Sequence, residues 1–272
     1  MSVVIITGCS SGFGLGAAVG YAAAGDKVYA TMRTPSKQGD LRAACDAAGV
    51  AVEVIPLDVT DDASVAAAVR TVVDTEGRID VLVNNAGVGY LYAIETMPDA
   101  LLRETFETNV FGMLRTTRAV LPTMRSQGSG TIINVGSVSG HIPVPFTGFY
   151  PATKHALRTI SEALSMEVEP LGIKVSLVEA GFFRTNILAD QAAHPIDPNS
   201  PYFEGETKTR EFWESSVANG RDPAEVIDLI VSLGRNPSPP LHSLIDHDQW
   251  IPARFANDDA GWSTLMKSVV GY

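Results

Sequence analysis

The segment FYPATKHA, residues 149 to 156, sets a phenol, Tyr150, four positions before an ammonium, Lys154. Four residues is one helical turn, so on a helix that starts near Tyr150 the two side chains share a face and converge on one object. Pro151 suits such a start, because the first turn offers no intrahelical partner for the N–H that proline lacks. Behind it Ala156, Leu157, Ile160, Ala163, Leu164 and Val168 recur at helical spacing, which predicts an amphipathic helix to about Glu169. A Tyr/Lys pair one turn apart is common on solvated helices and proves no chemistry alone. Its weight comes from two companions: Ser137, just after the apolar run TIINV, and Asn109, an amide inside a long helical pattern where asparagine is a poor residue.

A second group of residues suits phosphate. TGCSSGFG, residues 7 to 14, follows an apolar strand-like run and precedes a helical pattern. Gly8, Gly12 and Gly14 allow a sharp turn, close approach to a pyrophosphate and tight helix packing, and the helix N-terminus attracts the negative charge. Ser10, Ser11 and Phe13 complete the loop. In ATMRTP, at the end of the next apolar run, no acid occurs between Val28 and Gln38 and Arg33 stands where a ribose 2′-phosphate would lie. A carboxylate there would select NAD, so the expected cofactor is NADP. Asp58, beside Val59, either accepts a hydrogen bond from an adenine amine or caps the helix that follows. NNAG at 84 to 87 brings Asn85, Ala86 and Gly87 to the end of a further strand, suited to bracing it and letting backbone pass a ribose.

These residues need a frame. Apolar runs at 3 to 7, 27 to 31, 52 to 57, 80 to 85, 131 to 135 and 174 to 180 alternate with helical patterns near 13 to 24, 36 to 48, 61 to 75, 100 to 126 and 150 to 169. Such strands, each followed by a helix, predict an α/β fold, one doubly wound parallel sheet with helices on both faces and ligands at the strands' carboxyl ends. The rhythm breaks at 186 to 222, a Pro- and aromatic-rich segment read as a substrate lid. It resumes with a helix at 224 to 234, a strand at 241 to 245 and a mostly helical tail from 248 to 272. All 272 residues are expected to form a single domain.

Composition narrows the partners. A hydrophobic content of 45% with 19% charged residues suits a folded protein, and a net charge of −11 disfavours nucleic acid. The two cysteines, Cys9 and Cys45, lie in no disulfide or metal-ligand pattern, which suggests a reducing compartment. With no membrane-length apolar run and no export signal, a cytoplasmic location is expected. HSLIDHD, 242 to 248, matches no firm ligand spacing, so no metal is expected.

TGCSSGFG, NNAG, the Asn of TNVFG, Ser137 and YPATK, in that order, resemble the short-chain dehydrogenase/reductase family across residues 3 to about 186. The resemblance implies a Rossmann-type sheet and a hydride-transfer enzyme interconverting a ketone or aldehyde and an alcohol. Tyr150 would be general acid or base, with Ser137 bonding the same oxygen. Lys154 would depress the phenol pKa and hold the nicotinamide ribose, and Asn109 would anchor a proton-relay water. Gly181, Phe183 and Thr185 would meet the nicotinamide end; Ala180 departs from the usual proline before Gly181. ATMRTP, VEAGFFRT and the C-terminal tail are most similar to the branch with 17β-hydroxysteroid and retinol dehydrogenases.

A bulky hydrophobic substrate then fits a lid rich in Phe146, Phe149, Phe182, Tyr202, Phe203, Phe212 and Trp213, although these rings serve equally as core. Ser139 and His141 are further candidates for substrate contact. The resemblance also implies a homodimer or homotetramer. Two alternatives remain: an NAD-dependent alcohol dehydrogenase of the same family, and a dinucleotide sensor without catalysis. A sugar-nucleotide epimerase is disfavoured by the loop spacing and chain length.

Overall fold

The computed structural model describes residues 1–246 and 249–272. Alternate residues of its first strand feed opposite sides of one sheet. In β1 (Val3–Ile6), Val4 and Ile6 face one core and Val3 and Ile5 the other, all four buried, as a strand covered on both faces requires. Along the chain follow α1 (Gly12–Ala23), β2 (Lys27–Met32), α2 (Gly39–Ala48), β3 (Glu53–Pro56), α3 (Asp62–Glu76) and β4 (Val81–Asn84). Then come α4 (Asp99–Phe106), α5 (Met113–Gln127), β5 (Gly130–Val135), α6 (Phe149–Val168) and β6 (Ile173–Ala180). The chain ends with α7 (Phe203–Ala218), α8 (Ala224–Arg235), β7 (His242–Ile245), α9 (Trp250–Ala256) and α10 (Asp259–Val270).

The seven strands lie in the order β3-β2-β1-β4-β5-β6-β7, every pair parallel. This is the doubly wound arrangement expected from the alternation of runs. The order reverses beside β1, so the β1 and β4 ends open a crevice there. Helix α1 packs closely on α8 because Gly16 and Gly20 present no side chain to Ile227 and Val231; a Cβ on Gly16 would come within 2.1 Å of Ile227 Cδ1. Tyr21 Oη seals that contact by donating to the Ile230 carbonyl at 2.8 Å.

The expected helix over 100 to 126 differs in one respect. Between α4 and α5 the backbone widens into a π-helical turn, Glu107–Gly112, with Asn109 buried inside it. Such insertions re-aim side chains within an otherwise continuous helix, and apolar periodicity does not register them. Within the segment expected to form a lid, α7 docks through a buried carboxylate: Glu206 accepts hydrogen bonds from Ala93 N at 2.7 Å and Thr96 Oγ1 at 2.5 Å. Among the described residues no helix is long and apolar enough to cross a membrane.

Candidate active site

One cleft at the carboxyl ends of the strands gathers most of the residues singled out by sequence. Gly8, Ser10, Ser11, Gly12, Phe13, Arg33, Asp58, Val59, Asn85, Ala86, Gly87, Ser137, Ser139, Tyr150, Lys154, Gly181, Phe182, Phe183 and Thr185 all line it. Most belong to a strand end, the loop that leaves it or the start of the next helix, and Tyr150 and Lys154 to the first turns of α6, which is why residues far apart in sequence meet here.

The glycine loop is built to receive an anion. Ser11, the N-cap of α1, makes no side-chain capping bond, and the first turn holds no acid, so the leading N–H groups are not claimed by a cap. Gly12 has φ +58°, and a Cβ there would meet only Thr185 Cβ at 3.9 Å, projecting into the cradle. Gly14 differs. A Cβ on it would lie 2.4 Å from both Asn85 Nδ2 and Gly8 O, so Gly14 lets the loop close on β4 and does not itself line the cleft. Thr7, which the sequence did not single out, locks this junction: its Oγ1 accepts from Asn85 N and Ala86 N, both at 3.0 Å. Asn85 Nδ2 donates in return to Thr7 O at 2.9 Å and Gly8 O at 3.1 Å. The residues therefore fit a dinucleotide, with a bare helix terminus for its pyrophosphate.

At the far end Arg33 is exposed on the cleft rim and enters no ion pair among the described residues. Asp58 does not cap α3. Asp61 does, accepting from Ala63 N at 2.8 Å, while Asp58 Oδ1 holds Thr60 through N at 2.9 Å and Oγ1 at 2.7 Å.

Tyr150 and Lys154 stand one turn apart at the start of α6, as their spacing predicts. Lys154 is 7% exposed, and its Nζ donates to the Val135 carbonyl at 2.9 Å and lies 5.6 Å from the Tyr150 ring centroid. Burial lowers the ammonium pKa to about 8. Burial also pushes the Tyr150 phenol up to about 12, with the Ser137 hydroxyl countering part of the rise. The expected depression of the phenol by Lys154 is thus not found in the free chain. Desolvation is the larger cause, and the Ser137 hydrogen bond is what opposes it. Ser137 Oγ accepts from Ser139 N at 3.1 Å, which fixes the turn after β5.

Asn109 braces the floor behind these groups. Its Oδ1 accepts from Val88 N at 2.9 Å, and its Nδ2 donates to Val88 O at 2.8 Å and Thr153 Oγ1 at 3.1 Å. A Cβ on Gly87 would come 3.3 Å from Asn109 Oδ1 and 3.9 Å from Lys154 Nζ, so glycine lets the three converge. A buried polar chain runs deeper from the first amide of NNAG to residues that no motif marks: Asn84 Nδ2 donates to Asn134 Oδ1 at 2.9 Å, and Asn134 Nδ2 to Ser161 Oγ at 2.8 Å.

Four expected substrate contacts lie elsewhere. His141 turns away from the cleft onto the buried carboxylate of Glu179, Nε2 to Oε1 2.5 Å, because that charge needs a partner. Phe146 packs against Tyr202 and Tyr272, with centroids at 6.4 and 5.1 Å. Phe149 joins the cluster of Tyr90, Tyr92, Met97 and Leu101. Phe212 stacks edge-on behind Phe182 at 5.9 Å. The three rings are half-buried against other aromatic and apolar side chains, outside the residues that line the cleft. The cleft wall instead contains Val88, Asn186, Ile187, Trp213 and Val217. Trp213 belonged to the expected lid aromatics, but nothing in the sequence set it apart from its neighbours.

Among the described residues no group of three or more His, Cys, Asp or Glu is arranged to hold a metal. Of HSLIDHD, His242 Nδ1 meets Glu179 Oε2 at 3.0 Å, while His247 and Asp248 lie outside the described residues.

The profile of the short chain dehydrogenase family matches residues 2–195. The chain is 36% identical over 283 residues to 17-beta-hydroxysteroid dehydrogenase type 1 of Homo sapiens, covering 98% of this chain and 84% of that protein. It is 36% identical over 249 residues to retinol dehydrogenase 8 of Homo sapiens, covering 88% and 79%. A crystal structure of a short-chain dehydrogenase from Streptomyces avermitilis matches it with a TM-score of 0.81 at 36% identity, over 100% of this chain and 99% of that one. A profile match over most of the chain, relatives aligned nearly end to end and a crevice shaped for a dinucleotide lead to one conclusion: the chain belongs to the short-chain dehydrogenase family, NAD(P)-using oxidoreductases of alcohols and carbonyls, in the branch with hydroxysteroid and retinol dehydrogenases.

Proposed function

We propose that the protein is an NADP(H)-dependent oxidoreductase that interconverts a hydrophobic ketone or aldehyde and its alcohol, with Tyr150 as general acid and base. The observation that carries this reading is the meeting of Ser137, Tyr150 and Lys154 in the same cleft as the bare glycine loop. Bound there, the nicotinamide would supply or accept the hydride. Tyr150, protonated at neutral pH with its phenol raised to about 12, donates its proton to the carbonyl oxygen during reduction. Ser137 bonds that oxygen and holds it in place. Lys154, fixed by the Val135 carbonyl, presents a cation beside the phenol that stabilises the phenolate left behind. In oxidation the same groups act in reverse order.

Arg33 is the support for NADP over NAD. A guanidinium free of ion pairs among the described residues, on a rim with Ser10 and Ser11, suits a 2′-phosphate, and no carboxylate follows β2 to take a ribose hydroxyl. Residues 1 to 272 work as one domain in this reading, with 186 to 222 as lid, and a cytoplasmic homodimer or homotetramer is the proposed form. The names of the hydroxysteroid and retinol dehydrogenases, with Val88, Phe182, Ile187 and Val217 in the wall, support a bulky apolar substrate.

Turnover of a carbonyl panel with NADPH and NADH tests the whole reading. Tyr150→Phe should bind NADPH and lose turnover by orders of magnitude; near-wild-type rates would end the mechanism. Arg33→Ala should raise KM for NADPH at least about tenfold and leave NADH use unchanged. A wild-type preference for NADH would overturn the cofactor assignment.

A further inference from the structure

Ser137 and Tyr150 handle the same oxygen in the reading above, yet residues 138 to 148 between them contain no strand and only one helical turn, Val138–Gly140, before α6 begins. What holds this segment comes from far along the chain. Ile142 and Val144 pack with Trp262 and Met266 of α10, and Trp262 Nε1 donates to the Pro143 carbonyl at 3.2 Å. From there two bonds lead to the tyrosine: Thr147 Oγ1 donates to Val144 O at 2.8 Å, and Tyr150 N donates to Thr147 O at 3.1 Å. Thr147 is itself buried, at 1% exposed.

Phe146, inside the same segment, lies in the left-handed region with φ +58°. A ring-bearing residue stays there only when its surroundings over-determine it, and such strain collects where a fold must fix a site. The surroundings are supplied by α7 and the end of α10. The Tyr272 ring stands edge-on to Phe146 with centroids 5.1 Å apart, and Tyr202 lies at 6.4 Å. Gly205 of α7 makes room for both: a Cβ there would come 2.4 Å from Phe146 Cζ and 3.0 Å from Tyr272 Cε2. Tyr272 is folded back onto this place because its N–H donates to Lys267 O at 2.8 Å.

We propose that Trp262 and Tyr272 are positioning residues for the reaction: they grip residues 142 to 146, and through them keep Tyr150 aligned with Ser137. The inference rests on the assignment of Ser137 and Tyr150 above. Ile142, Pro143, Phe146, Trp262 and Tyr272 are all outside the lining of the cleft, so the grip acts on kcat and leaves the dinucleotide cradle alone.

The first test is Trp262→Phe, which keeps a ring beside Ile142 and Met266 and deletes the N–H to Pro143. With NADPH and 4-nonanone or nonanal as probe carbonyls, kcat should fall about fivefold, while the Kd for NADPH from fluorescence titration stays within about twofold. Phe146 supplies the readout that packing alone would not move. Phe146→Ala and Phe146→Gly lose the same ring, but only glycine adopts φ +58° without strain, so kcat should be about threefold higher in the glycine variant. A measurement on the wild type covers misfolding: in hydrogen exchange, the amides of Tyr150 and of α10 should open together. Independent, faster opening of α10, an unchanged kcat in folded Trp262→Phe protein, or a Phe146→Gly variant no more active than Phe146→Ala overturns the proposal. If Tyr150→Phe loses turnover while Trp262→Phe keeps it, the catalytic reading stands and this one falls. If the wild type reduces neither probe nor any other carbonyl, both fall together.

Discussion

Glu179 Oε1 lies 2.5 Å from His141 Nε2 and its Oε2 lies 3.0 Å from His242 Nδ1, so one buried carboxylate ties the turn after Ser137 to β6 and β7. Glu179 is 1% exposed, and Arg158 on α6 approaches it at 3.8 Å. Burial pushes the carboxyl up, and the hydrogen bonds from His141 and His242 outweigh that and leave it below the ordinary glutamate value. A depressed carboxyl stabilises the fold above its unfolded pKa, roughly 4.3, and that contribution is lost as pH falls through the lower folded value. Glu179→Gln should therefore give a flatter melting temperature against pH below about 4.5 than the wild type, measured by thermal melts. Because His141 anchors the Ser137 turn, kcat should also fall several-fold, with little change in the KM for NADPH.

The proton-handling pair predicts opposite pH responses for the two reaction directions. With Lys154 lowered to about 8 and Tyr150 raised to about 12, the free enzyme near neutrality holds both protons. The kcat/KM for carbonyl reduction should fall as pH rises through about 8, where the ammonium is lost. Alcohol oxidation needs the phenol deprotonated and should climb on the alkaline side. Lys154→Met should remove the limb near 8 together with most of the turnover. Initial-rate profiles with NADPH and with NADP check both directions.

Two glycines of one loop should fail in different ways. A methyl on Gly12 enters the phosphate cradle and is penalised by φ +58°, by about 1–2 kcal/mol, so Gly12→Ala should weaken dinucleotide binding at least tenfold while the protein still folds. Gly14→Ala drives a Cβ against Asn85 Nδ2 and the Gly8 backbone, both at 2.4 Å, and should lower the melting temperature even without ligand. Titration of NADP fluorescence quenching alongside melts separates the two.

Asn109→Ala should cost roughly 1–3 kcal/mol, because it strips both bonds from the Val88 backbone and one from Thr153 inside the protein. Denaturant unfolding measures this. Asn109→Asp keeps the acceptor for Val88 N but sets a buried carboxylate oxygen against Val88 O, so a loss at least as large as that of the alanine variant is expected.

Much of the frame was legible because its signals are local. VVIIT, DVLVNN and TIINV are apolar on both faces, which only a covered parallel strand tolerates, and TGCSSGFG announces its helix terminus at the β1 end. Tyr150 and Lys154 are joined by helical geometry alone. Asn109 stood out as an ill-placed amide, yet the π turn that buries it did not, since one inserted residue leaves the apolar pattern nearly intact.

Residue types and their spacing along the chain were enough to determine the order of strands and helices, the glycine cradle and the Tyr150/Lys154 turn, since each depends on neighbours within a few residues. Tertiary structure alone decided which way the aromatics face, that His141 serves Glu179, that Trp213 stands edge-on to Tyr150, and how burial shifts the phenol and the ammonium. Those properties depend on desolvation and on partners brought from distant segments, and neither is written in the spacing of residues along one strand or helix.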